Sequence, residues 1–198
     1  DYLQGAVFGP LGMDSSSFAL DEGLSSRYAK GYEKGRRPVD AMAIRDIAAG
    51  QLMSSARDMS RFLSSCLASL RGEGGLLRPE TMRGLLDVQN AGVALDFGFR
   101  IGLTWWLMET PEFPGVGLAG HGGDLPPFHA LLLVAPEKDI GVEISVNNAE
   151  GMGSMELKGI AVEAFRAALR ATEGRDDFAE PARAVLTPTR RGWGEGPE

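Results

Sequence analysis

Apolar residues recur at the three- and four-residue spacing of amphipathic helices in four stretches of the chain. These stretches cover about residues 2–8, 56–70, 79–89 and 154–171. The first is expected to stop at Gly9-Pro10, because this pair interrupts the helical pattern. The second has the clearest start, since the Ser55 hydroxyl can cap the first turn while Asp58 reaches back to complete a capping box.

Alternating apolar positions predict strands in the second half of the chain. Residues 97–108 read as one strand, bent or bulged by interleaved glycines. Residues 128–134 and 140–146 read as an antiparallel hairpin, because the intervening turn contains Pro136. Within that hairpin His129 alternates away from its neighbours, so its side chain is predicted on the opposite face from theirs.

A polar, glycine-rich segment over 23–39 reads as a surface loop with short strands near residues 27–32. Its two tyrosines, Tyr28 and Tyr32, can line the mouth of a substrate site or simply pack the loop onto the protein body. Trp105 and Trp106 leave the same two alternatives, a pocket wall or core packing.

Composition indicates a globular chain. Its 198 residues are 43% hydrophobic, enough for one sizeable core. The net charge of -7 argues against a nucleic-acid partner, and no apolar run reaches the roughly 20 residues of a membrane helix. Residues 173–198 are charged and rich in proline and glycine, so we predict a domain over 1–172 followed by a tail or linker.

The chain offers little to a metal or a disulfide. Cys66 is the single cysteine, and its place on a predicted helix suggests a small buried apolar residue rather than a reactive thiol. The two histidines, His121 and His129, do not form a zinc-binding pattern. We therefore predict no metal and no cofactor.

The segment 118–124, Leu-Ala-Gly-His-Gly-Gly-Asp, is the strongest candidate for chemistry. Clustered glycines allow another molecule to approach the backbone, and His121 can titrate near neutral pH. By itself the same pattern also fits a buried turn that contains a hydrogen-bonded histidine.

Three segments in order carry a family resemblance: Phe-Gly-Pro-Leu-Gly-Met at 8–13, the run from Ala48 to Leu63, and the Gly-His-Gly-Gly motif at 120–123. Over about residues 1–170 the chain resembles the C-terminal half of class C β-lactamase-like serine hydrolases. This family includes β-lactamases, penicillin-binding proteins, esterases and D-aminopeptidases. The resemblance implies an α+β fold of the β-lactamase/transpeptidase type. In this fold an antiparallel sheet is flanked by terminal helices beside a mostly helical region, and the site lies at their junction.

The family's nucleophile lies in an S-x-x-K motif and its second catalytic group in Y-x-N, both upstream of the proline-leucine-glycine turn. No lysine of this chain has a serine three residues before it, and no tyrosine has an asparagine two residues after it. The chain also opens within a helical pattern. We therefore expect a partner segment, the missing N-terminal half of the same domain, and we expect this chain alone to be inactive.

Carried over from the family, His121, Gly122 and Gly123 match the three positions of the K-T-G-like motif. The resemblance implies that His121 hydrogen-bonds near the tyrosine, the leaving group or a substrate carboxylate. Gly122 and Gly123 would line the substrate site. The backbone N–H of Asp124 would be one oxyanion-hole donor, and the absent serine would supply the other.

Asn147, at the end of the following strand, would face the substrate as in some relatives; the alternative is an ordinary turn-forming asparagine. Histidine and glycine replace the lysine and hydroxyl residue of true β-lactamases. An ester, amide or D-amino-acid peptide is therefore expected ahead of a β-lactam. The family implies a periplasmic or secreted location.

Two functions remain open from the sequence. One is a serine hydrolase that works through an acyl-enzyme and whose nucleophile lies outside this chain. The other is a non-catalytic binding or interaction module of the same fold.

Overall fold

A meandering antiparallel sheet forms the centre of the fold. The computed structural model describes residues 2–33, 37–40, 42, 44–92, 100–148, 153 and 156–174. Its five-stranded sheet has the order β3-β4-β5-β6-β7. The strands are β3 (Arg100–Ile101), β4 (Trp106–Met108), β5 (Leu118–Leu125), β6 (Phe128–Ala135) and β7 (Ile140–Val146). Because each strand pairs with the next one along the chain, short turns suffice to connect them.

The helices and a small hairpin precede and follow this sheet. A π-helical turn at Gln4–Phe8 leads into α1 (Gly9–Leu11), and later helices are α2 (Glu22–Ser25), α3 (Ile47–Gly50), α4 (Ala56–Arg71), α5 (Pro79–Leu86) and α6 (Lys158–Glu173). The separate two-stranded sheet pairs β1 (Gly31–Glu33) with β2 (Arg37–Val39).

The two faces of the main sheet bury different helices. On one face, α6 packs against β6 and β7 in an apolar core that includes Leu131, Leu133 and Phe165. On the other face, α4 and α5 pack with Val134, Ala119 and Trp105. The sheet is therefore the middle layer of an α+β fold, as the resemblance implied.

Most predicted elements occur, with shifted ends. The α4 helix starts as predicted, with the Ser55 hydroxyl accepting from the Asp58 N–H at 3.2 Å. The β6–β7 hairpin matches the predicted strands and is joined by a 3-10 turn at Pro136–Lys138. The helix predicted over about 79–89 is α5 and ends at Leu86, and the helix predicted from about 154 is α6 and begins at Lys158.

Two predictions of local structure were wrong. The N-terminal helix does not stop at Gly9-Pro10, because Pro10 occupies a first-turn position of α1 and the chain turns only at Gly12, where φ is 64°. Within the segment predicted as one strand over 97–108, residues 100–108 form a tight hairpin: β3 and β4 pair with each other, and Thr104 between them has φ 69°. Phe97, Phe99 and the predicted tail after Gly174 lie outside the described residues.

No helix in the part of the chain that the structure describes has the length and apolar character needed to cross a membrane.

Candidate functional site

The Gly-His-Gly-Gly motif lies within a strand and not in the turn proposed as its simpler alternative. His121 is the fourth residue of the eight-residue strand β5 and pairs with Leu132 of β6. Because side chains alternate along a strand, His121 shares a face with Ala119, which packs in the core under α4 and α5. Asp124 points to the other face, toward α6.

The His121 ring is held from two sides. Its Nδ1 lies 2.5 Å from the Gly122 carbonyl oxygen, and its ring stacks on Trp106 with centroids 4.5 Å apart. A carbonyl can only accept, so Nδ1 is the donor and Nε2 is the ring nitrogen that this bond leaves unused. Trp106 therefore orients this histidine. The sequence pattern, which left a pocket wall and core packing open for Trp106, did not predict this contact.

The strand that carries the motif has a partly open edge. On that edge β4 pairs with Leu118, Ala119 and Gly120, and its register ends at Trp106 opposite Gly120. Gly120 itself is tightly packed, since an added Cβ would lie 2.2 Å from the Leu132 carbonyl oxygen. Beyond Gly120, residues 121–125 continue as β5 past the end of the β4 ladder, which leaves room for a substrate to lie along the backbone.

A large cleft borders this edge. It has a volume of about 1980 Å³, and its lining includes His121, Gly122, Gly123, Asp124 and Asn147. All five residues predicted from the sequence therefore meet in one cleft. Gly50 and Gln51 at the end of α3 also line it.

The loop before β1 forms another wall. Tyr28 lines the cleft and packs on Phe128 with ring centroids 5.6 Å apart, so it packs the loop onto the protein body, and a role at the mouth of a substrate site stays a prediction. Gly31 is needed here because a Cβ would lie 2.1 Å from Cγ of Pro127, in the turn that joins β5 to β6. Burial raises the pKa of the Tyr28 hydroxyl.

Asn147 ties this loop to the sheet. Its side-chain amide donates to the Lys30 carbonyl at 2.8 Å, and its own carbonyl accepts from the Tyr32 N–H at 2.8 Å. These two hydrogen bonds connect the loop before β1 to the end of β7 and give Asn147 a structural role. The residue also lines the cleft. A role for Asn147 in substrate binding stays a prediction.

The buried carboxylate of Asp58 holds the side of the cleft near Ser54 in place. Asp58 is only 2% exposed and accepts from the Ser15 N–H at 2.7 Å and the Ser16 hydroxyl at 2.8 Å. It thus joins the turn after α1 to the start of α4, in place of the predicted reach back to Ser55 within its own helix. Ser16 also hydrogen-bonds Ser54 at 2.7 Å, beside the cleft.

The two histidines lie on opposite faces of the sheet. His129 is 6% exposed, and its Nδ1 lies 2.6 Å from Asp124 Oδ1. Its predicted orientation, away from Phe128 and Ala130, is confirmed by the buried positions of Leu131 and Leu133 on the same face. The partnership with Asp124 was not predicted, although its signal, two polar residues flanking a short turn, is present in the sequence.

No metal-binding site is seen among the described residues. Among them, no group of three or more His, Cys, Asp and Glu side chains is arranged to hold a metal ion.

The family model described as Beta-lactamase matches residues 1–165. This chain belongs to the beta-lactamase family. No curated protein matches its sequence.

Solved structures share the fold. An octameric penicillin-binding protein homologue from Pyrococcus abyssi has a TM-score of 0.64 at 24% identity, over 85% of this chain and 37% of its own. A class C beta lactamase from Rhodobacter sphaeroides has a TM-score of 0.63 at 17% identity, over 83% of this chain and 53% of its own. A Beta-Lactamase/D-Alanine Carboxypeptidase from Pseudomonas syringae has 0.64 at 18%, over 84% and 52%.

This member of the beta-lactamase family therefore spans about half the length, or less, of these structures.

Proposed function

We propose that this chain is the motif-bearing part of a serine hydrolase that cleaves esters, amides or D-amino-acid peptides through an acyl-enzyme. The observation that carries the proposal is the placement of His121, Gly122 and Gly123 on a strand whose edge borders the cleft beyond the end of β4. Family membership supports the reaction class, and the geometry of β5 supports the role of each residue.

In this proposal the reacting carbonyl lies along the open edge of β5. The Asp124 N–H stabilises the oxyanion that forms when the serine attacks, since a fixed backbone donor favours charge that develops in the transition state. Gly122 and Gly123 let the substrate approach because they carry no side chain. An added Cβ at Gly123 would meet no atom within 4 Å.

His121 acts at the mouth of the site. With Nδ1 bonded to the Gly122 carbonyl, Nε2 is the nitrogen that accepts a proton or hydrogen-bonds to the leaving group or a substrate carboxylate. Trp106 limits rotation of the ring, so this nitrogen keeps one direction. A single histidine offers weaker carboxylate anchoring than the lysine of a true β-lactamase, which favours ester, amide and peptide substrates over β-lactams.

The nucleophile comes from a segment outside residues 1–198. No serine of this chain precedes a lysine at the S-x-x-K spacing, so none has the neighbouring base that activates the family's serine. The partner segment is the other half of the same fold, which would bring S-x-x-K and Y-x-N to the cleft. Apolar lining residues, among them Leu52, Met53 and Phe62, suit a packed helical partner.

A second candidate function is a non-catalytic binding module of the same fold. It is favoured by the lack of an S-x-x-K motif in this sequence. Both functions use the same cleft, and they differ in whether a covalent adduct forms.

The test compares His121→Ala with wild type in the full-length protein. Rates are measured on a p-nitrophenyl ester, a D-alanine p-nitroanilide and a chromogenic cephalosporin. We expect turnover of the preferred substrate to fall by about 100-fold, the usual size of an acid–base contribution. The unfolding free energy should change by less than about 1 kcal/mol, because the residue is exposed.

Glu137→Ala is the matched control, an exposed change in the turn at the other end of β6. It should retain wild-type turnover. A wild-type protein that binds these compounds without turning any of them over would favour the binding module.

A further inference from the structure

The Asp124–His129 pair lies directly behind the proposed oxyanion donor. The two residues are cross-strand partners in the β5–β6 ladder, one pair away from the Pro126–Pro127 turn. Their side chains meet on the α6 face, with Nδ1 and Oδ1 2.6 Å apart. The segment at Gly153 lies next to the carboxylate, since an added Cβ there would be 3.4 Å from Asp124 Oδ1.

The bond to Asp124 shows which ring nitrogen of His129 is the donor. The carboxylate can only accept, so Nδ1 carries the hydrogen in this bond. Nε2 is buried and has no hydrogen-bond partner among the described residues. Burying an imidazole with one unsatisfied nitrogen costs free energy, and apolar residues often replace buried polar pairs without loss of stability. Stability alone therefore gives a weak reason for a histidine here.

The residues before Asp124 explain what such a pair can do. Gly122 and Gly123 have no side chains, so on the inner edge only their backbone pairing with Leu131 and Ala130 of β6 holds the peptide planes at this point of β5. On the outer edge the β4 ladder has already ended at Gly120. Asp124 is thus the first residue after the two glycines whose side chain is anchored, and its anchor lies in the buried layer beneath α6.

We infer that His129 is a positioning residue: by holding the Asp124 side chain on the α6 face, it orients the Gly123–Asp124 peptide so that its N–H points along the open edge of β5. This inference rests on the proposed function, because that N–H is the proposed oxyanion donor. The pair itself does not touch the substrate, and it acts only through the backbone.

The experiment uses His129→Phe, which fills the buried site without a donor, and His129→Asn, whose amide restores a donor at the position of Nδ1. Both are made in the full-length protein. Loss of an aligned oxyanion donor acts on the transition state more than on bound substrate. We expect His129→Phe to lower kcat about 10-fold or more with KM within about 2-fold, and His129→Asn to recover much of kcat.

Val142→Ala is the control for simple destabilisation of the sheet. Val142 packs against the same core under α6 and lies on β7, away from Asp124. It should lower the unfolding midpoint without a selective loss of kcat. A fall in kcat that is the same in Val142→Ala and His129→Phe at equal stability would overturn the inference.

Asp124→Ala removes the same contact from the other side and completes a double-mutant cycle with His129→Phe. It keeps the inference testable if a histidine variant fails to fold. If the two residues act as one device, Asp124→Ala and His129→Phe together should cost little more than either alone. Additive losses would show that the two side chains act separately and would overturn the inference.

A second readout does not depend on hydrolysis. In protein labelled with [15N]glycine and [15N]aspartate, the amide signals of Gly123 and Asp124 should move in His129→Phe and stay near wild type in Val142→Ala. If wild type hydrolyses nothing, the proposed function fails while these signals still report on the pair. Unmoved signals would overturn the positioning role whether or not the protein is an enzyme.

Discussion

Cys66 shows at the residue scale how burial controls chemistry beside a large cleft. The thiol lies on the buried face of α4, and burial raises its pKa from 9.0 to about 11. A thiolate, and not a thiol, is the reactive form. The residue is therefore predicted to be an inert packing group, as the sequence position suggested.

This prediction is tested by reaction with a disulfide reagent such as DTNB at pH 8. In the native protein Cys66 should react at least about 100-fold more slowly than in denaturant, because only about 0.1% of it is thiolate at that pH. Rapid native labelling would contradict it. The raised pKa also means that the unfolded chain loses this proton first, so stability should fall as pH rises from 9.0 toward about 11.

The residues of the candidate site were within reach of sequence reasoning, but their contacts were not. Two glycines flanking a histidine mark a close backbone approach, and His121 and Gly122 do line the cleft. The ring contact with Trp106 depends on how two strands meet, which no spacing along the chain encodes. The Asp124–His129 pair was also missed, although the two residues flank the short turn at Pro126–Pro127.

At the scale of elements, Asp58 connects α4 with the turn that follows α1. Its carboxylate accepts two hydrogen bonds from Ser15 and Ser16, and Arg61 lies 3.5 Å from its other oxygen. Removing this buried group leaves the Ser15 N–H without its acceptor and the Ser16 hydroxyl with Ser54 as its remaining partner. The wall of the cleft at Ser54 should loosen with it, because Ser16 and Ser54 are hydrogen-bonded.

We therefore predict that Asp58→Ala lowers the unfolding free energy by about 2–4 kcal/mol in denaturant titrations. Ser60→Ala, an exposed change on the same helix, is the control and should stay within about 0.5 kcal/mol of wild type. A loss below about 1 kcal/mol for Asp58→Ala would show that the connection is not important for stability.

Elements with strong local signals were predicted well, and short ones were not. The α4 helix and the β6–β7 hairpin carry a cap, regular apolar spacing and a proline turn, and both occur. The β3–β4 hairpin was missed because its strands are two and three residues long, and its turn places Thr104, a residue that rarely takes positive φ, at 69°. Alternation over 97–108 cannot reveal such a reversal.

At the scale of the molecule, the sheet brings distant segments to one cleft. The motif on β5, the turn after α3 and the Tyr28 loop reach it from three parts of the chain. The α+β class and the family could be predicted because three motifs stand in the family's order, and the family match over 1–165 confirms this. What the cleft binds depends on the proposed partner half, which this sequence does not contain.

The most direct test of the proposed function is to find the serine that becomes acylated. The full-length protein is treated with a fluorophosphonate probe, digested, and searched by peptide mass spectrometry for the modified residue. We predict one modified serine, in an S-x-x-K sequence outside residues 1–198, and a labelling rate that falls in His121→Ala. An adduct on a serine within this chain, or no adduct in an intact and folded protein, would contradict the proposal.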